Sequence, residues 1–275
     1  MNMIRVLSIA VLLSISSFAF ADAWKADPIW HDGMVEKATY SANRVIYGKP
    51  RAYEAIFFTN KEQHDTKTWT KADKSTDTVE VFKHNQIEVI PTPNYDYKYT
   101  TTSHLTVDGL ALTRLDMGSQ EFCGTSFKQY ELSRSPRTGD SYKYFGFSYM
   151  PDSGRVEKSV ASPDSKIPLV AVNSLPVWLR DYDFAAKPTL TIAVLPDQKS
   201  TRLSAADPVP AQIKYVTEES GSHKLEVIIN GNLAGTYWFA TDRQHVMTKF
   251  VGADGQQTYE LKAQTRTNYW TIKAE

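Results

Sequence analysis

Cys123 is the residue of this sequence whose chemistry is easiest to recognise. It lies in the string Ser119-Gln120-Glu121-Phe122-Cys123-Gly124 and is the one cysteine of 275 residues. A thiol becomes a nucleophile when a base forms the thiolate, and one of the six histidines could do so with Glu121 or Asp116 as the orienting group. If the string is a strand, Cys123 shares a face with Glu121 and no histidine is placed beside it. We therefore favour a buried cysteine that packs as a small apolar residue.

Three tyrosines form a second candidate site. Tyr95, Tyr97 and Tyr99 follow Pro91-Thr92-Pro93 and alternate along the chain, so they line one face of a strand. Such a face can stack on sugar rings or cover an apolar ligand. The alternative, which we favour, is that the rings belong to the core of a curved sheet.

Sequence spacing offers no metal or cofactor site. No two of the histidines lie at i, i+2 or i, i+4, the spacings that bring two imidazoles to one ion on a strand or helix. The sequence also has no phosphate-binding loop, dinucleotide fingerprint or nucleophile elbow. We predict neither a metal nor a cofactor.

The elements that must position these residues are mostly strands. Residues 258 to 270 alternate apolar and polar side chains, as does the stretch around Val79 to Val89, which is typical of half-buried antiparallel strands. Asn230-Gly231 and Asp254-Gly255 predict hairpin turns. Further strand candidates are 34–47, 52–59, 95–107, 110–117, 119–132 and 140–150, with breaks at Asp108-Gly109, Gly118, Gly139 and Pro151.

One helix is predicted, from Asn173 to Asp181. Asn173 or Ser174 can cap it, and Pro176 suits its first turn. Leu175, Trp178 and Leu179 share one face at helical spacing, so the helix must dock on the sheet, where these three side chains are candidate ligand contacts. The predicted fold is all-β: a strongly curved antiparallel sheet or open barrel with one short packed helix.

The first 21 residues predict an export signal. Arg5 is their one charge, Val6 to Phe20 are mainly apolar, and Ala19-Phe20-Ala21 resembles a cleavage site. The segment is too short to span a bilayer, and no later stretch is apolar enough, so we expect a periplasmic or secreted protein without a transmembrane segment. Residues 22–275 are expected to form a single β-rich domain, with a possible soft division near 185–210, where prolines are frequent.

Composition limits the partners. With 31 basic and 31 acidic residues, the chain has no net charge to attract nucleic acid or an anionic membrane surface. An apolar or amphiphilic small molecule, or an envelope protein or glycan, is the expected partner.

Several motifs taken together resemble a known family. They are Trp30-His31-Asp32-Gly33, Tyr40, Arg44, Phe82-Lys83-His84-Asn85, Tyr95-Asp96-Tyr97 and the string around Cys123. The chain resembles exported β-rich bacterial proteins of unknown function, some of which carry a septum-formation inhibitor label, over about residues 28 to 180. Phe122 replaces a tryptophan of that family and His84 a leucine. More distantly, an exported all-β chain with a packed helix is similar to periplasmic half-barrels that carry lipids or lipoproteins.

Three functions remain open. We favour a noncatalytic binding or carrier protein for an apolar or amphiphilic ligand, because a curved sheet with a docked helix leaves an apolar groove. The alternatives are an envelope hydrolase or transferase that uses Cys123, and a glycan- or protein-binding module that uses Tyr95, Tyr97 and Tyr99.

Overall fold

The structure is a computed structural model that describes residues 24–72, 76–134, 140–151, 153–161, 167–203, 206–268 and 270. The export signal predicted at residues 1–21 lies outside these residues. The strands are β1 Val35–Ile46, β2 Lys49–Asp65, β3 Thr78–Ile90, β4 Tyr97–Thr106, β5 Leu112–Glu121, β6 Gly124–Ser133, β7 Ser141–Ser148, β8 Arg155–Ala161, β9 Leu169–Ala171, β10 Leu190–Leu195, β11 Val209–Glu219, β12 Ser222–Ile229, β13 Asn232–Ala240, β14 Met247–Gly252 and β15 Gln257–Thr267.

All fifteen strands form one sheet, in the order β8-β7-β6-β5-β4-β3-β2-β1-β15-β14-β13-β12-β11-β10-β9. The pairs are antiparallel except β9 with β10, which is parallel. Hairpins join most neighbours, and the chain crosses from β8 at one edge to β9 at the other. The predicted all-β fold with a curved sheet is confirmed.

The predicted helix is present but short. α1 spans Leu175–Trp178 and is flanked by the 3₁₀ turns Val172–Ser174 and Leu179–Asp181; another such turn is Pro28–His31. The Ser174 hydroxyl donates to the carbonyl of Ala171 at 2.8 Å and does not cap the helix. Among the described residues, none of the helices combines the length and the apolar character needed to cross a membrane.

The β9 edge of the sheet curls inward and divides the interior in two. Ile192 and Val194 of β10 belong to one core cluster, whereas Ala193 and Leu195 belong to the other. Both faces of this strand are therefore buried, which explains its continuous apolar sequence. α1 lies in the same partition, because Leu175 packs in the first cluster and the neighbouring Val177 in the second.

We call the two sides of this partition the hollow half and the packed half. The hollow half is the inner face of β11–β15, β1 and β2; the packed half is the inner face of β3–β8. Register shifts in β12 at Val227/Ile228 and in β13 at Trp238/Phe239 mark bulges, which bend strands and help the hollow half to curve.

Other parts of the chain fill the packed half. Trp24 stacks on Phe82 with ring centroids 4.8 Å apart, and Trp30 meets the same ring edge-on. The segment between β10 and β11 lies against β6: Lys128 Nζ donates to the carbonyls of Gln198 at 2.8 Å and Ser200 at 2.6 Å. This segment belongs to the proline-rich region near 185–210, where the sequence allowed a soft division. Its residues Gln198 and Ser200 pack against β6.

One predicted strand boundary is wrong. β5 continues through Gly118 to Glu121, and the chain turns at Phe122 and Cys123 before β6 begins at Gly124. The string around Cys123 is thus a hairpin turn rather than part of a single strand, so its side chains do not alternate as predicted.

Candidate ligand-binding site

The hollow half contains a cavity of about 450 Å³. Its floor is formed by inward-facing residues of β11 to β14, and α1 closes one side. Most lining side chains are apolar: Val45, Val172, Leu175, Pro196, Val209, Val227, Ile229, Ala234, Tyr237 and Phe250. The volume lies within the usual range for small-molecule sites, roughly 300–1,000 Å³.

A glycine shapes one wall of this cavity. A Cβ at Gly235 would lie 2.6 Å from the ring of Phe250 and 3.2 Å from the carbonyl oxygen of Val251. Glycine therefore lets the Phe250 ring lie directly across β13, where its centroid is 4.7 Å from that of Tyr237. The two rings form an aromatic wall.

Arg44 brings a positive charge to the same cavity. Its Nη2 donates to the carbonyl of Lys199 at 3.0 Å, and its guanidinium lies 5.2 Å from the ring centroid of Tyr99. Its Nη1 is buried and has no hydrogen-bond partner within the described part of the chain. Burial alone would lower the pKa of Arg44, but Tyr99, Asp197 and Glu88 outweigh it, so the pKa is raised and the group stays charged.

The two carboxylates that raise the pKa of Arg44, Glu88 and Asp197, already have hydrogen-bond partners. Glu88 accepts from Lys199 Nζ at 2.5 Å and from the hydroxyl of Tyr53 at 2.5 Å. Asp197 accepts from the side chain of Asn173 at 2.7 Å and from the backbone N–H of Lys199 at 2.8 Å. Burial raises the pKa of Asp197, but Lys199 and these hydrogen bonds prevail and hold it below its ordinary value. Arg44 therefore differs from its neighbours in having a buried donor to spare.

A smaller cavity of about 70 Å³ shares part of this lining, including Val172, Tyr237 and Phe250. Gln86 and Tyr259 line it as well. Tyr259 donates to Glu88 at 3.0 Å, so the buried polar network borders the apolar cavity. The site thus combines apolar walls with a polar end.

The three residues of the helix that the sequence predicts as ligand contacts have different surroundings. Leu175 lines the large cavity, whereas Leu179 is fully buried in the core of the hollow half. Trp178 is half-buried and packs against both core clusters, so it joins the two halves. Of the three residues, only Leu175 is among those that line the cavity.

The three tyrosines lie next to one another in an aromatic ladder at the rim of the sheet, but only Tyr97 and Tyr99 belong to β4, since Tyr95 precedes it. The favoured placement in the core holds for Tyr99 alone. Tyr95 and Tyr97 are half-buried with ring centroids 5.6 Å apart, and Tyr99 is buried below them, 6.4 Å from Tyr97. Tyr47 and Phe122 extend the ladder outward and are 76% and 90% exposed. Tyr99 also contacts Arg44, so the ladder reaches the cavity.

The expectation that Cys123 is buried is wrong. Cys123 is exposed in the β5–β6 turn, where its Sγ lies 3.0 Å from the hydroxyl of Tyr95. Glu121 accepts from the Ser119 hydroxyl at 2.9 Å, and burial raises the pKa of Glu121. All six histidines lie in the described residues, and each makes its contacts elsewhere: His31 with Glu80, His64 with His104, His84 with Thr59, and His223 with His245.

Two groups of residues were not found from the sequence. Arg44 was noted only as part of a motif, because its cavity depends on Lys199 being brought to β1 by long-range packing. Glu62, His64 and His104 come together across β2 and β4. The Glu62-x-His64 spacing within β2 is a sequence signal for this group, because it places both side chains on one face of a strand.

Comparison with protein-family models finds no match, and comparison with curated proteins finds none either. Among solved structures, the chain is similar to a β-barrel-like protein of a domain of unknown function, DUF1849, from Brucella abortus. The two share 8% sequence identity over 85% of this chain and 98% of that chain, with a TM-score of 0.49. A likeness at this level says nothing about function.

Proposed function

We propose that this protein binds or carries an amphiphilic molecule, without catalysis, in the cavity of the hollow half. The apolar part of the ligand occupies the cavity, and its polar head accepts a hydrogen bond from Arg44. Two observations on one residue carry this proposal: Arg44 lines an otherwise mostly apolar cavity, and its buried Nη1 has no hydrogen-bond partner in the described residues.

Two physical arguments support an acceptor head group. A buried donor without a partner costs roughly 1–3 kcal/mol, and a ligand that satisfies it recovers this free energy. A carboxylate or phosphate is the strongest acceptor, because hydrogen bonds between ionised groups are about twice as strong as neutral ones. Burial of the apolar part adds roughly 25 cal/mol for each Å² removed from water.

We further propose that the protein acts in the periplasm or outside the cell and belongs to the family that its motifs resemble. The signal predicted at residues 1–21 supports this location. Fractionation of cells that express the full chain tests it: the processed protein is expected with the periplasm or the medium, and an unprocessed protein in the cytoplasm would contradict it.

The head-group assignment is tested with a long-chain fluorescent fatty acid and its methyl ester. The wild-type protein should prefer the acid, and Arg44→Gln should weaken acid binding by about 10- to 100-fold while changing ester binding little. Arg155→Gln removes a guanidinium that pairs with Glu157 on the surface and is the matched control. Equal affinity of the wild-type protein for acid and ester would contradict the role of Arg44.

The carrier function is tested on protein taken from its native compartment. Solvent extraction followed by mass spectrometry should release an amphiphile in a near-stoichiometric amount. Repeated extraction without any such molecule, together with no binding of the fatty acid, would refute the proposal.

The aromatic ladder supports a second candidate, a glycan-binding face. Tyr47 and Phe122 are mostly exposed and lie beside Tyr95 and Tyr97, which is the arrangement that stacks on sugars. Tyr97→Ala should abolish retention on envelope polysaccharide and leave the Tm nearly unchanged, whereas the buried Tyr99→Ala should lower the Tm. Undiminished retention of Tyr97→Ala would exclude this face.

A further inference from the structure

A cluster of metal-binding side chains lies away from the cavity, on β2 and β4. Glu62 and His64 are two residues apart on β2 and therefore project from the same face of the sheet. His104 of β4 lies on the other side of β3 and reaches them across that strand. In the pairing of β3 with β4, His104 is opposite Lys83. Sheet pairing thus assembles the cluster from positions about forty residues apart in the sequence.

The distances within the cluster suit a single ion. Oε1 of Glu62 lies 2.8 Å from Nε2 of His64 and 4.0 Å from Nε2 of His104. The two imidazole centroids are 4.6 Å apart, and one ligand atom from each of the three residues lies within 4.8 Å of the others. An ion held by these three atoms would lie about 2.0–2.2 Å from each, the Zn²⁺ distances for nitrogen and carboxylate oxygen.

The two imidazoles have unused hydrogen-bonding capacity. His64 is 1% exposed and His104 is 7% exposed, and Nδ1 of each has no hydrogen-bond partner among the described residues. A buried unpaired nitrogen calls for a ligand or an ion. In both rings Nε2 is the nitrogen nearer to Glu62 Oε1, so Nε2 can ligate the ion while Nδ1 carries the proton.

We propose that Glu62, His64 and His104 bind a divalent transition-metal ion of the Zn²⁺ class. Two imidazoles and a carboxylate suit Zn²⁺, Cu²⁺ or Ni²⁺ better than Mg²⁺ or Ca²⁺, which prefer oxygen ligands. Three protein ligands leave a fourth position for water or another small ligand. Each ring gives one nitrogen lone pair to the ion and keeps its proton on the other nitrogen.

Lys83 is the nearest competing cation, and it approaches from the other side of the carboxylate. Its Nζ is 3.8 Å from Oε2 of Glu62, whereas both histidines face Oε1. The lysine therefore neutralises one oxygen and leaves the other directed at the imidazoles. The site is separate from Arg44 and does not depend on the proposed carrier function.

Isothermal titration of the untagged, chelator-treated protein with ZnCl₂ tests the proposal. The wild-type protein should bind one equivalent, and His104→Gln and Glu62→Gln should each weaken binding by more than the roughly 10- to 100-fold that loss of an outer partner of a metal ligand costs. His223→Gln is the matched control, because it removes one imidazole from a second histidine pair, in which the ring centroids of His223 and His245 are 6.0 Å apart. This control should bind as the wild type does.

A spectrum of the wild-type protein with Co²⁺ keeps the test decisive if a variant does not fold. The visible absorption of a four-coordinate nitrogen and oxygen site is expected. The unchanged spectrum of hydrated Co²⁺, no saturable uptake of Zn²⁺, or a loss of binding in His223→Gln but not in Glu62→Gln would overturn the proposal.

Discussion

The two halves of the interior are built from similar strands but are filled differently. In the packed half, Trp24, Trp30 and the segment before β11 occupy the inner face of the sheet. In the hollow half, α1 and β10 cover part of the inner face, and a cavity of about 450 Å³ remains beside them. The strands alone therefore do not decide which half can take a ligand; the segments packed onto them do.

Two cations, one in each half, differ in their hydrogen bonding. In the packed half, the buried Lys128 ammonium is held by the carbonyls of Gln198 and Ser200. In the hollow half, Arg44 retains a buried N–H group without a partner in the described residues. A buried donor without a partner beside a cavity is a candidate contact for a ligand.

The largest expected effect distinguishes two phenylalanines. Phe82 is fully buried against Trp24, so Phe82→Ala should lower the free energy of unfolding by about 3–5 kcal/mol. Phe250 is half-buried and faces the cavity, so Phe250→Ala removes fewer packing contacts and should cost clearly less. Denaturant unfolding measures both, and equal losses would contradict the distinction between the halves.

Ligand stabilisation should be confined to the hollow half. A fatty acid at about 100 times its Kd should raise the free energy of unfolding by about 2.7 kcal/mol. Hydrogen exchange should slow in β11 to β14 and change little in β5 to β7. Protection that is strongest in β5 to β7 would place the ligand elsewhere.

A smaller effect, on the pH dependence of the free energy of unfolding, is expected from substitution of His84. This residue lies on β3, next to the boundary between the two halves. Burial and the charge of Arg180 lower its pKa to about 3 from the ordinary 6.5. The folded protein keeps this imidazole neutral while the unfolded chain takes up a proton, so the free energy of unfolding falls as the pH drops from 6.5 toward 3.

One such proton contributes a slope of about 1.4 kcal/mol per pH unit. His84→Gln should remove this share of the acid sensitivity, as urea unfolding between pH 7 and pH 4 would measure. An unchanged slope in the variant would show that His84 is not held neutral.

The sequence predicted the strands better than the turns that connect them. Alternating residues in β15 and the turn at Asn230-Gly231 were sufficient to predict strands and a hairpin. The sequence does not predict the turn at Phe122 and Cys123, because a phenylalanine and a cysteine give no turn signal. Gly124, at φ +149°, is the first residue of β6 and lies directly after this turn.

The sites were harder to predict for a physical reason. The cavity needs Arg44 of β1 beside Phe250 of β14, and the proposed metal site needs His104 of β4 beside Glu62 of β2. Both arrangements depend on strand register and sheet curvature, which local alternation does not specify.

The central claim, that the hollow half is the ligand-binding site, is tested most directly by filling its cavity. Ile229 lines the cavity, whereas the adjacent Ile228 of β12 is not among its lining residues, so Ile229→Trp and Ile228→Trp form a matched pair. Titration with the fluorescent fatty acid should show binding lost in Ile229→Trp and kept in Ile228→Trp, with both variants folded. Wild-type affinity in folded Ile229→Trp would contradict the account.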